Sequence, residues 1–101
     1  MVQRTALSEL DDAPHADVFD DQSPRGVRLE LDEGESIPEH RHPDSAIVFH
    51  QIAGRVDVTV GDETLALEPG DVARFDGDQD ISPTARTDTT ALIVFVPKDG
   101  L

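Results

Sequence analysis

Two histidines, His40 and His42, stand one residue apart in the segment IPEHRHP, residues 37–43. On an extended chain, residues i and i+2 point to the same side. This spacing therefore offers two imidazoles to one ion, with zinc–nitrogen distances of about 2.0–2.1 Å. A ligating imidazole needs an acceptor for its other ring nitrogen. Glu35, Glu39 and Asp44 lie close enough in sequence to serve. A catalytic zinc or non-haem iron centre needs a third protein ligand and an open position as well.

A second group of donors is the run DGDQD, which sets Asp76, Asp78 and Asp80 at alternate positions. An EF-hand calcium loop wants Gly at its sixth position and Glu at its twelfth. Here those positions are Ile81 and Thr87, so the run is expected to be a solvated acidic loop. The chain has no cysteine, which removes disulfides, thiolate ligands and a cysteine nucleophile. No nucleophile elbow, phosphate loop or dinucleotide fingerprint is present. Arg41, Arg55 and Arg74 are candidate anchors for an anionic ligand. Each has many acidic residues to pair with instead.

The charge balance narrows the partners. The 101 residues include 22 Asp and Glu against 8 Lys and Arg, a formal net charge of -14, and Lys98 is the only lysine. Such a field repels nucleic acid and anionic membranes, so neither is expected as a partner. At molar salt the screening length falls to about 3 Å and the self-repulsion is largely removed. Acidity with almost no lysine resembles the proteins of salt-loving archaea. The N-terminus lacks the apolar centre of a signal peptide. The longest clean apolar run, Ala91 to Val96, is too short to span a bilayer. The expectation is a cytoplasmic protein.

The elements that must position these residues are strands. The length suggests one domain. Residues 1–25 carry TALSELDDAP, which starts a short helix at most, because Pro14 and Pro24 break it. This part is expected to be an arm or an edge strand ahead of a domain over 26–101. From Val27 the pattern is β: VRLEL alternates, with Val27, Leu29 and Leu31 on one face and Arg28 and Glu30 on the other. AIVFHQI, RVDVTV, TLAL, VARF and ISPTA follow as short extended segments, divided by Gly, Pro and Asp turns. ALIVFV reads as a strand buried on both faces. No segment suits a βαβ crossover, so the fold class is all-β, a sandwich or barrel.

On these residues the chain resembles the cupin superfamily, small jelly-roll barrels, over about Val27 to Val96. The first cupin motif runs Gly, five residues, His-x-His, three or four residues, Glu, six residues, Gly. Gly34, His40, His42 and Gly54 match it, and LEPGDVARF supplies Leu67, Gly70 and Asp71 of the second motif. The Glu position falls on Ile47 or Ala46, and the second motif's His position falls on Ile81. His50 is four residues beyond Ala46, about 13 Å along a strand, too far to share an ion with a group there.

The resemblance implies a jelly-roll fold, a homodimer, and at most one weakly held divalent ion (Zn, Fe, Mn or Ni) at His40 and His42. Three functions are open. One is a barrel binding a small molecule against Ile47, Phe49, Gln51, Phe75 and Ile81. Another is a metal-dependent enzyme, dioxygenase- or isomerase-like, using a reduced His40/His42 site. The third is a dimeric scaffold whose side chains fill the barrel. Which face of residues 46–52 looks inward is also open.

Overall fold

In a computed structural model, which describes residues 2–19 and 24–100, eight strands form two antiparallel sheets. The strands are β1 (His15–Asp17), β2 (Arg25–Leu31), β3 (Ser45–Ala53) and β4 (Val56–Val60). They continue with β5 (Glu63–Leu67), β6 (Val72–Asp76), β7 (Ile81–Ala85) and β8 (Thr89–Pro97). One sheet runs β1-β2-β8-β3-β6 and the other β5-β4-β7. Among the described residues the only other regular structure is two short 3-10 turns, Leu7–Glu9 and Lys98–Gly100. The all-β expectation holds.

The alternating sequences decide which faces meet. In β2 the buried residues Val27, Leu29 and Leu31 face inward. Register places Leu29 opposite Ala91 and Val27 opposite Ile93, so one apolar row meets the next. Val56, Val58 and Val60 supply the facing layer from β4. Inner faces of two sheets packed at about 10 Å interdigitate in this way. Full burial of a residue such as Phe49 contributes about 1.5–3 kcal/mol.

Strand β3 settles the open choice of face. Ile47, Phe49 and Gln51 are buried inward, and Ala46, Val48 and His50 lie on the outer face. Strand β8 departs from expectation. Its inward residues Ala91 and Ile93 are buried, but Leu92 and Val94 on the outer face are only half-buried. An unbroken apolar run here reflects a partly covered outer face, not a strand enclosed on both sides.

Arg28 departs in the opposite sense. Alternation puts it on the outer face, yet it is 5% exposed. The N-terminal arm covers it. Arg28 Nη1 donates to the carbonyls of Leu7 and Leu10 at 2.9 and 3.0 Å, and Nη2 donates to that of Asp12 at 2.9 Å. These bonds hold the 3-10 turn at the place where the sequence suggested a short helix. The arm then enters β1, which pairs antiparallel with β2 as an edge strand, His15 opposite Leu29 and Asp17 opposite Val27.

Candidate functional site

The histidine segment is laid along β7 by a broken ladder. Gly34 N–H donates to Ala85 O, Ile37 N–H to Pro83 O, and His40 and Ile81 exchange both backbone bonds, at 3.1 and 2.9 Å. His42 N–H then donates to Gly77 O at 2.8 Å. Gly77 has no room for a side chain: a Cβ there would lie 2.3 Å from His42 O and 2.7 Å from Ser45 O. The loop after β6 therefore fixes the height of His42. The two imidazoles come together with ring centroids 5.0 Å apart and planes at 86°.

They stand at the mouth of a cavity of about 510 Å³ between the sheets. Its walls are apolar. Val27, Leu29, Ile47, Phe49, Ile93 and Phe95 come from the five-stranded sheet's central strands, and Phe75 from β6. Ile81 and Pro83 of β7, with Ile37, close the other side. The polar lining groups are His15, Arg25, Glu39, His40 and His42, all exposed or half-buried, so they form a rim. Small-molecule sites of about 300–1,000 Å³ have this character, apolar walls with a few polar groups.

Of the residues expected from the sequence, His40, His42, Ile47, Phe49, Phe75 and Ile81 all line this cavity. Gln51 does not. It points inward but lies toward the other end of β3, fully buried, with its Nε2 donating to the carbonyls of Ala53 and Gly54, both at 2.9 Å. Its amide nitrogen is spent on the β3–β4 turn, while its Oε1 is buried without a partner among the described residues; Gln51 does not line the cavity.

Two rim residues were missed from the sequence. His15 reaches the rim because its pairing opposite Leu29 puts it on the inward face of the sheet. Arg25 continues the row of Val27 and Leu29 back by two residues, a signal the alternation carried. Its guanidinium carbon lies 5.3 Å from the centre of the Phe95 ring, and the His42 ring is 4.6 Å from the same ring.

Burial lowers the pKa of both His15 and His42. For His15, repulsion from His40 and then Arg25 adds to this. For His42, His40, Arg25 and His15 add in that order. The rim thus gathers a guanidinium and three imidazoles, in a chain otherwise rich in carboxylates. His40 Nδ1 lies 2.9 Å from the Pro38 carbonyl. In a neutral ring that bond would place the proton on Nδ1 and the lone pair on Nε2.

The acidic run turns outward, as a solvated loop should. Arg41 lies between the two histidines in sequence. Its Nε donates to Asp80 at 2.8 Å, and Asp78 is 3.9 Å away. The hydrogen bond to Arg41 lowers the pKa of Asp80, and that of Asp76 is lowered first by the hydrogen bond to Lys98. These carboxylates neutralise cations of their own chain. Arg41 is accordingly an ion-pair partner, as its acidic surroundings suggested.

The double-sheet sandwich, open at one end over an apolar cavity with histidines at the mouth, is the architecture of a small jelly-roll barrel. A family model described as "Cupin domain" matches residues 27–97, and the chain belongs to that family. No curated protein matches the sequence. Among solved structures, KdgF from a Halomonas species superposes with a TM-score of 0.81 at 20% identity, covering 100% of both chains. An RmlC-like cupin from Shewanella frigidimarina gives 0.78 at 17% identity, over 99% of this chain and 97% of that one. A predicted oxalate decarboxylase from Thermotoga maritima gives 0.73 at 19% identity, over 82% and 78%. At these identities the likeness is one of fold.

Cupins often bind a metal, so the donor set has to be tested against one. Among the described residues no group of three His, Cys, Asp or Glu side chains is placed to hold an ion. The reason is visible at two positions. Ile47 lines the cavity from β3, and Ile81 sits directly across from His40. In an antiparallel pair, opposed side chains lie on the same face. The place beside the His40 imidazole is therefore occupied by a hydrocarbon. The residues present do not fit a three-ligand centre.

Proposed function

We propose that this protein is a binding barrel that holds a small, largely apolar molecule in the cavity beneath the histidine rim. The observation that carries the reading is the wall itself. Ile47 and Ile81 stand at the positions where the family resemblance implied metal ligands, and both face the cavity. A hydrocarbon wall of this size recovers free energy only when an apolar body displaces its water, at roughly 25 cal/mol per Å² covered. The test is binding of a neutral apolar dye, N-phenyl-1-naphthylamine, to the full chain in molar salt. Saturable fluorescence, weakened at least tenfold by Phe49→Trp or Ile47→Trp, supports the reading. Absence of saturable binding by a correctly folded chain sinks it.

A second reading has one observation in its favour. The bond from His40 Nδ1 to Pro38 O is the kind of support that orients a ligating imidazole. On this reading His40 and His42 hold a divalent ion weakly. Plasma mass spectrometry on tag-free protein decides it: about one ion per chain, lost in the double variant His40→Ala/His42→Ala, favours the metal. The reading also includes a homodimer. Val72, 62% exposed on the edge strand β6, and the half-buried outer face of β8 offer apolar surface for a second copy. Light scattering in molar salt reads the mass directly.

A further inference from the structure

We infer that the molecule held in the cavity is an apolar monocarboxylate, seated with its hydrocarbon body inside and its carboxylate at Arg25 on the rim. This rests on the binding-barrel reading above and specifies the ligand's chemistry. Arg25 is the cation of the cavity lining, beside three imidazoles and one acid, Glu39. Elsewhere the chain carries acids in large excess. A cationic head group would meet the guanidinium at the mouth, and a neutral molecule would gain nothing from it. A dianion would bring twice the charge against a net charge of -14.

The geometry of Arg25 supports a single carboxylate. Its position opposite Phe95 in the β2–β8 ladder puts it on the cavity face, with its guanidinium over that ring. Its present partner is Asp17, and the contacts are long: Nε and Nη2 reach the same carboxylate oxygen at 3.4 and 3.3 Å. Both groups are largely exposed, and such a pair contributes little. Among the described residues no hydrogen bond uses Nη1. Guanidinium groups bind carboxylates through two parallel N–H bonds, stronger than neutral hydrogen bonds.

The test displaces N-phenyl-1-naphthylamine from the full chain with octanoate or with octanol, in the same buffer. A plain hydrocarbon cavity prefers octanol, because the carboxylate gives up its hydration on entry. The inference expects octanoate to compete at about tenfold lower concentration, the worth of a charged hydrogen bond. In Arg25→Gln the ratio of octanoate to octanol competition falls to that of a plain hydrocarbon cavity, and Arg25→Lys retains part of the preference. If octanol competes as well as octanoate in the wild type, or if Arg25→Gln keeps the preference, the carboxylate assignment is wrong and the apolar cavity survives. If the folded protein binds no dye and neither competitor registers, the cavity reading fails and this inference with it.

Discussion

At the closed end of the sandwich, the side-chain donors of Gln51 and Thr89 are spent within the chain, and Gln51 Oε1 is buried without a partner among the described residues. Gln51 Nε2 donates to Ala53 O and Gly54 O, and the Thr89 hydroxyl lies 3.1 and 3.0 Å from the carbonyls of Arg55 and Thr87. Backbone approaches so closely there that a Cβ on Gly54 would lie 1.9 Å from Asp88 O. At the open end, three imidazoles and a guanidinium ring an apolar cavity, and among the described residues the one imidazole bond to the chain is that of His40 to Pro38. The same strand, β3, contributes to both ends: Ile47 to the cavity, Gln51 to the turn. On the binding-barrel proposal, one end holds the sheets together and the other meets a molecule from outside. Substitutions at the two ends should therefore separate stability from binding.

The largest effect belongs to the closed end. Gly54→Val combines a φ of 75° with the clash against Asp88 O, and it should lose more than about 3 kcal/mol, read by urea unfolding in molar salt. A cost below about 1 kcal/mol would show that the turn is loose. Next is Arg28→Met, which removes the guanidinium donor from three arm carbonyls, of which Leu7 O keeps its bond from Leu10 N–H. We expect a loss of about 2–3 kcal/mol and early proteolytic cleavage before β1, with the rest of the chain resistant.

At the open end the expected effects move from stability to binding. Ile81→His puts an imidazole beside His40 and should make a third ligand available. Its melting temperature should rise by several degrees with stoichiometric zinc, while that of the wild type moves little. An equal response in both proteins would mean that Ile81 is not what withholds the metal.

The smallest effect is a pH dependence. His15 and His42 are held below their ordinary value of 6.5 in the fold, chiefly by burial, so the unfolded chain takes up protons first. Their contribution is intact above about pH 6.5 and is lost as the pH falls from there through the lowered values. The melting temperature should drop slightly between about pH 7.5 and about pH 5.5, and less in His15→Asn/His42→Asn. An unchanged drop in the variant would assign it to other groups.

These comparisons also mark where the sequence was legible. Alternation in 27–31 and 56–60 placed the inward rows, because a half-buried strand must repeat with period two. The His-x-His spacing announced two converging imidazoles, and four of the five expected pocket residues line the cavity. Gln51 was misplaced because alternation gives the face of a strand but not the distance along it to the cavity. Arg28 looked exposed because nothing local shows that a segment some twenty residues earlier folds back over it.

The sequence by itself determined the fold class, the inward face of most strands, the outward acidic loop and the absence of donors at positions 47 and 81. Each follows from local pattern, chain charge or residue chemistry. Tertiary structure alone decided the face of β3, the burial of Arg28 and the presence of His15 at the mouth. His15 faces the cavity only because β1 pairs with β2 in a register that sets it opposite Leu29. A slip of one residue would turn that imidazole to the other face. Register is a relation between two strands, and neither strand's sequence states it.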